Sequence, residues 1–182
     1  MRYFISIDIE DEDVKEGLVN FIERIEDYGD MKPVRPENLH ITLLFLGELS
    51  EGELEGARKK FTDTCRNIDV GEFTCNISGV GVFPHMNYIK TIWAGAEPEE
   101  ELSELLMKFS ENMNGENEHD FVAHATLARL RGIGPEEKRD LKEVIESFER
   151  DFGSFRVENV RLKESELGPE GPTYRDVEVC RL

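Results

Sequence analysis

His40-Ile41-Thr42-Leu43-Leu44-Phe45-Leu46 and His124-Ala125-Thr126-Leu127-Ala128-Arg129-Leu130 are two spellings of one pattern, His-x-Thr-Leu-x-x-Leu. In a strand, side chains alternate between two faces, so a histidine and a threonine two residues apart project together while the apolar residues between and after them turn the other way. Each stretch therefore reads as a strand with one face for a core and one polar face left over.

The likeness extends beyond the motifs. The two histidines are 84 residues apart, and the same offset carries Ile5 onto Ile89, Ile9 onto Trp93, residues 13–28 close to 99–113, 51–66 onto 135–150 and 73–80 onto 157–164. A fixed period across several elements marks duplicated supersecondary units, and two copies make two lobes rather than a solenoid. The expectation is one bilobal domain over residues 1–182, with pseudo-repeats of about 1–84 and 85–182 and the two histidine strands beside the axis that relates them.

Between the motifs, residues 2–9 read as a buried strand, and Val14, Leu18, Phe21, Ile22 and Ile25 fall at helical spacing behind the acidic entry Asp11 to Asp13. Pro33 and Pro36 confine residues 31–37 to an extended connection, and Ser50 caps a second helix. Strands over 73–83 and 88–94 flank a short loop. A third helix carries Leu102, Leu105, Leu106 and Phe109, a polar loop spans 112–120, and the second motif strand runs over 121–130. Gly134 and Pro135 open a last helix, after which residues 155–163 and 174–182 close the chain as strands. The order βαβαβ, twice, with alternating strands, predicts an α+β fold: two duplicated lobes with antiparallel sheets facing a central cleft and helices outside.

Composition narrows the classes. With 22 basic and 40 acidic residues among 182, the net charge is −18, which argues against loose, sequence-independent binding of duplex nucleic acid; any nucleic-acid substrate must be met by a local basic patch. Cys65, Cys75 and Cys180 show no CxxC spacing, so reduced thiols are expected rather than a disulfide framework or a zinc knuckle. The first residues become charged too soon for a signal peptide, and no apolar run reaches membrane-spanning length. A soluble, cytoplasmic protein without a membrane partner is expected.

Two His-Thr pairs meeting in a cleft suit acid-base chemistry on a phosphodiester. Opening a cyclic phosphodiester needs one group to take a proton from water and another to protonate the departing ribose oxygen across the phosphorus. Histidine does either near neutral pH. His40 and His124 are thus the candidate catalytic pair; Thr42 and Thr126 would donate to the non-bridging oxygens, and Arg35, Arg129 and Arg131 could supply a cation. No metal or other cofactor is expected, because two histidines without a paired carboxylate or cysteine make a poor first set of ligands.

With Arg35-Pro36-Glu37-Asn38-Leu39-His40, Phe45-Leu46-Gly47, Trp93-Ala94-Gly95 and the closing Ser165-Glu166-Leu167-Gly168-Pro169-Glu170-Gly171-Pro172-Thr173-Tyr174, the chain resembles the RNA 2′,3′-cyclic phosphodiesterases, also called 2′-5′ RNA ligases, of the two-histidine phosphoesterases. The resemblance spans nearly the whole chain. It implies hydrolysis of a 2′,3′-cyclic phosphate terminus on RNA to a 2′-phosphate without metal, with His40 protonating the 3′ oxygen, His124 activating water, and the reverse ligation accessible. It also implies base contacts from Phe45 and Arg129, although odd spacing sets them on the far face of an ideal strand, so a twist or bulge is needed. The chain departs from the family's habit at Ala123, where proline is frequent, and at Leu44, where lysine is frequent. Other expectations are a phosphodiesterase for 2′-5′-linked oligonucleotides or small cyclic nucleotides, or a module that binds RNA ends without turnover. A monomer is expected. His85 and His119 read as exposed loop residues, Trp93 as a core anchor, and Tyr174 as a residue bordering the cleft.

Overall fold

The computed structural model describes residues 1–113, 121–149, 151–169 and 171–182. Among them it holds nine strands and four helices in the order β1 (Arg2–Asp8), α1 (Glu12–Ile25), β2 (Asp30–Pro33), a 3₁₀ turn (Pro36–Asn38), β3 (His40–Glu48), α2 (Glu51–Arg66), β4 (Phe73–His85), β5 (Tyr88–Glu97), α3 (Glu99–Asn112), β6 (His124–Gly132), α4 (Pro135–Glu146), β7 (Asp151–Val157), β8 (Asn159–Gly168) and β9 (Gly171–Arg181). The fold is α+β, as expected from the periodicity. The segment expected as one strand over 155–163 resolves into two, broken at Glu158, and the extended connection before His40 contains a strand, β2, that pairs with β6.

Instead of two separate facing sheets, the strands form one curled antiparallel sheet in the order β7-β4-β5-β6-β3-β1-β8-β9. Its seam is the join of the two motif strands, where Ile41 pairs with Ala125. The halves on either side of that seam are interlaced in sequence. Strand β4 lies beside β5, whereas β8, from late in the chain, lies beside β1. Helix α1 packs against β7 and β6, α4 against β4, α3 against β3, and α2 against β9 and α3.

The helices cover one face of the sheet because their apolar stripes match its apolar alternation. Val14, Leu18, Phe21, Ile22 and Ile25 of α1 and Leu102, Leu105, Leu106 and Phe109 of α3 are buried in a core with Ile5, Ile7, Ile41, Leu43 and Leu127. Asp11 caps α1 by accepting from the Val14 N–H at 3.0 Å, and Ser50 with Glu53 forms the capping box of α2. The other face of the sheet is left for the polar residues of the two motifs.

One cysteine expectation is corrected. Cys65, at the end of α2, and Cys180, on β9, are joined as a disulfide with Cα atoms 5.7 Å apart; Cys75 is a free, buried thiol. Their separation of 115 residues hid the pairing, since only the packing of α2 on β9 brings them together. No helix among the described residues is long and apolar enough to cross a membrane.

Candidate active site

Both motif strands bend in the same way. In β3, Ser6 of β1 pairs with Thr42 and Ile5 with Leu44, so Leu43 is an extra residue; in β6, Trp93 of β5 pairs with Thr126 and Ile92 with Ala128, so Leu127 is extra. Such a bulge lets two consecutive side chains enter the core and shifts the alternation of everything after it. Leu43 and Leu44 are both buried, as are Leu127 and Ala128, and Phe45 and Arg129 return to the face that carries His40, Thr42, His124 and Thr126. The obstacle raised by their odd spacing is thus removed by backbone geometry. Phe45 stands 54% exposed there, its ring 6.5 Å from that of Phe4. The bulge also accounts for Leu44: its side chain points into the core, 1% exposed, away from the polar face.

The Ile41–Ala125 pair sets the relation of the two motifs. With both of those side chains wholly buried on the helix side, the antiparallel register places His40 beside Thr126 and Thr42 beside His124 on the opposite face. Each imidazole is fixed by its own backbone: Nδ1 of His40 lies 2.6 Å from the Asn38 carbonyl oxygen, and Nδ1 of His124 lies 2.6 Å from that of Val122. A carbonyl only accepts, so Nδ1 carries the hydrogen in both rings and Nε2 is the nitrogen that can trade a proton. Nε2 of His40 is 3.0 Å from the Thr42 hydroxyl.

The walls differ. His40 packs against Phe4 and Tyr174, ring centroids 5.1 and 5.3 Å away, and Tyr174 stands edge-on to it. His124 packs against Phe83 and Trp93 at 5.0 and 5.9 Å. Trp93, expected as a core anchor, is half-buried on the polar face instead, because the register of β5 puts it across from Thr126. Its indole lies over Gly81, where an added Cβ would sit 2.2 Å from a ring carbon. Beyond it the surface sinks into a trough of about 680 Å³ bordered by Ser78, Glu97 and Val122.

Burial holds the His40 imidazole below its ordinary value of 6.5; Lys163 and His124 push in the same direction, while the Asn38 carbonyl and Asp8 oppose. Burial likewise raises the Tyr174 phenol, with Arg129 acting against it. His40 therefore feels His124, and Tyr174 feels Arg129, across the seam. The closing hairpin is tied into the same place: the Asn38 amide donates to the Pro172 carbonyl at 3.0 Å, and Lys32, the cross-strand partner of Arg129, lies against Gly171. Arg35 immediately precedes the 3₁₀ turn ahead of His40, and Arg131 is exposed on β6. His85 is exposed, at the end of β4 rather than in a loop, and His119 lies outside the described residues.

Sequence reasoning missed Asp8 and Lys163, which share this face with His40. The available signal was the alternation Phe4, Ser6, Asp8 within a run otherwise read as wholly buried, and Arg161 and Lys163 alternating with Val160 and Leu162.

Comparison with known proteins places the chain in a family. The model of the LigT-like phosphoesterases matches residues 7–93 and 95–174. The chain belongs to that family. It is 38% identical to an RNA 2′,3′-cyclic phosphodiesterase of Methanothermobacter thermautotrophicus, over 100% of this chain and 99% of that one, and 32% identical to one of Archaeoglobus fulgidus, over 98% and 99%. A solved structure from Thermus thermophilus superposes with a TM-score of 0.79 at 29% identity, covering 100% of this chain and 98% of that one. Escherichia coli LigT complexed with 3′-AMP, 20% identical over 100% and 97% of the two chains, shares the fold with a TM-score of 0.72.

Proposed function

We propose that this LigT-like phosphoesterase opens the 2′,3′-cyclic phosphate end of RNA to a 2′-phosphomonoester, using His40 and His124 as its acid and base and no metal. The observation that carries the reading is the shared tether: both imidazoles are locked by Nδ1 onto a backbone carbonyl, on adjoining strands, with Nε2 as the working nitrogen. The relatives named for this activity, matched along their full length, support it.

In this reading Nε2 of His124 takes a proton as a water oxygen attacks phosphorus, and the bond from phosphorus to the 3′ oxygen breaks in line with it. Nε2 of His40 gives that oxygen its proton. The product carries a 2′-phosphate and a 3′-hydroxyl. Thr42 and Thr126 donate to the non-bridging oxygens, whose charge grows in the transition state. The incoming phosphate favours the imidazolium of His40 and so counters the effect of burial on that ring. Phe45 and Arg129 hold the terminal nucleotide, one by stacking and one by charge. A single-stranded end is all that the basic side chains Lys32, Arg35, Arg129 and Arg131 need to meet, which reconciles an RNA substrate with a net charge of −18. Run backward, the same pair joins a cyclic end to a 5′-hydroxyl as a 2′-5′ bond. The protein acts as a cytoplasmic monomer.

Product analysis on an RNA ending in a 2′,3′-cyclic phosphate tests this directly. A 2′-phosphate is expected, and His40→Ala and His124→Ala should each lower kcat by about a hundredfold or more. Cyclic phosphate persisting after long incubation, or single variants that change affinity alone, would make the protein a binder of RNA ends instead.

A further inference from the structure

The strand next to each histidine offers one residue directly across from it, and the two offers differ. Opposite His124 stands Gly95, where an added Cβ would lie 2.8 Å from the Ser78 carbonyl oxygen, so the backbone leaves no space for a side chain. Opposite His40 stands Asp8. Cross-strand partners share a face, and Phe4, two pairs along the same alternation, already touches the His40 ring, so Asp8 projects on the polar side of the sheet.

Asp8 is not a loose surface acid. Its carboxylate is in contact with the Nζ of Lys163, a lysine only 7% exposed, and lies 3.6 Å from Nε of Arg161. Ser6 donates to its other oxygen at 3.3 Å. Asp176 of β9 backs the two cations, 3.4 Å from Lys163 and 2.5 Å from Arg161, and Glu10 adds an exposed contact to Arg161 at 2.8 Å. Lysine is almost never buried without carboxylates around it, and removing one member of such a cluster leaves an uncompensated charge. The cluster is therefore built, and it is built beside one imidazole.

We propose that Asp8, held in place by Lys163, is a positioning residue for the reaction: it keeps a half-buried His40 able to carry the proton that the leaving oxygen needs. Lys163 has two effects of opposite sign on that histidine. It aims and fixes the carboxylate, and it cancels part of the carboxylate's field, so that His40 can both hold a proton and release it. The groups facing His40 are Asp8 from β1, Lys163 from β8, Tyr174 from β9 and His124 from β6, with Arg161 and Asp176 acting through the cluster. Asp8 is the one carboxylate in that ring of neighbours placed directly across from the imidazole. The inference rests on the two-histidine reading for its catalytic consequence, but the coupling it describes is a property of the protein without substrate.

The test is an NMR titration of the histidine side chains in the intact protein, beside the pH profile of kcat. Asp8→Asn should move the His40 midpoint to lower pH and Lys163→Met should move it to higher pH, each changing the ratio of protonated to neutral His40 at fixed pH by about tenfold, the usual effect of one charge at this range. The double variant Asp8→Asn/Lys163→Met removes one charge of each sign, keeps the local balance where a single change strains the fold, and should bring the midpoint back toward that of the parent. The limb of the rate profile that belongs to His40 should follow each shift. A His40 midpoint that stays put in folded Asp8→Asn, or a His124 midpoint that moves equally, overturns the inference and leaves the two-histidine reading intact. Full activity in His40→Ala overturns that reading and leaves the electrostatic coupling to be judged by the titration.

Discussion

The stretches 40–45 and 124–129 bury their residues in the same order and carry a bulge at the same place, yet the strands beside them are made of different material. Next to His40 lie Asp8, Ser6 and Phe4, backed by Lys163 and Arg161; next to His124 lie Gly95 and Trp93, backed by Gly81 and Phe83. The comparison separates two tasks. Backbone geometry, the same in both strands, delivers an imidazole, a hydroxyl and a third side chain to one face. The neighbouring strand then decides what charge and shape each imidazole sees.

Replacing the hydroxyls tests the shared part of the comparison. Thr42→Val and Thr126→Val should each lower kcat on the order of a hundredfold with little change in stability, as loss of one donor to a developing oxyanion does. If only one of them matters, the motifs are alike in geometry but unequal in use. Next comes the third position, where the halves already differ. Phe45→Ala should raise KM by about tenfold irrespective of salt, whereas Arg129→Ala should raise it at low salt and flatten its salt dependence, since stacking is insensitive to ions and charge pairing is screened. Steady-state rates at several ionic strengths would show this, and equal salt slopes for the two variants would contradict the division of labour.

The smallest effect concerns stability. The folded protein holds His40 below the ordinary value of 6.5, so between the two values the unfolded chain binds the extra proton. Stability is therefore full above the ordinary value, declines as pH falls through it, and levels off once pH passes below the native one. Urea midpoints measured over about pH 5 to 8 should show this decline, and His40→Gln should flatten it.

Much of the candidate site's layout was legible because strands encode a face in every second residue. His40, Thr42, His124 and Thr126 follow from that rule together with the repeated motif. Phe45 and Arg129 did not follow from it, because an inserted residue breaks the count. The doubled apolar pairs Leu43-Leu44 and Leu127-Ala128 are the trace such a bulge leaves in a sequence. Trp93 was misread for a related reason: alternation shows that a strand has two faces without saying which one a tryptophan takes. The disulfide between Cys65 and Cys180 and the cluster around Asp8 depend on which strands become neighbours, and local pattern is silent on that. The α+β class was legible; the joining of the sheet through Ile41 and Ala125 was not, since two buried apolar side chains give no sign of a seam.

The interlaced strand order also sets a schedule for biosynthesis. His40 and the strand across from it emerge early, but the wall that carries Lys163 and Tyr174 belongs to the last two strands, so a nascent chain holds its first histidine long before the surroundings of that histidine exist. The surroundings of that imidazole are thus finished only once β8 and β9 have followed β3 in the order of synthesis.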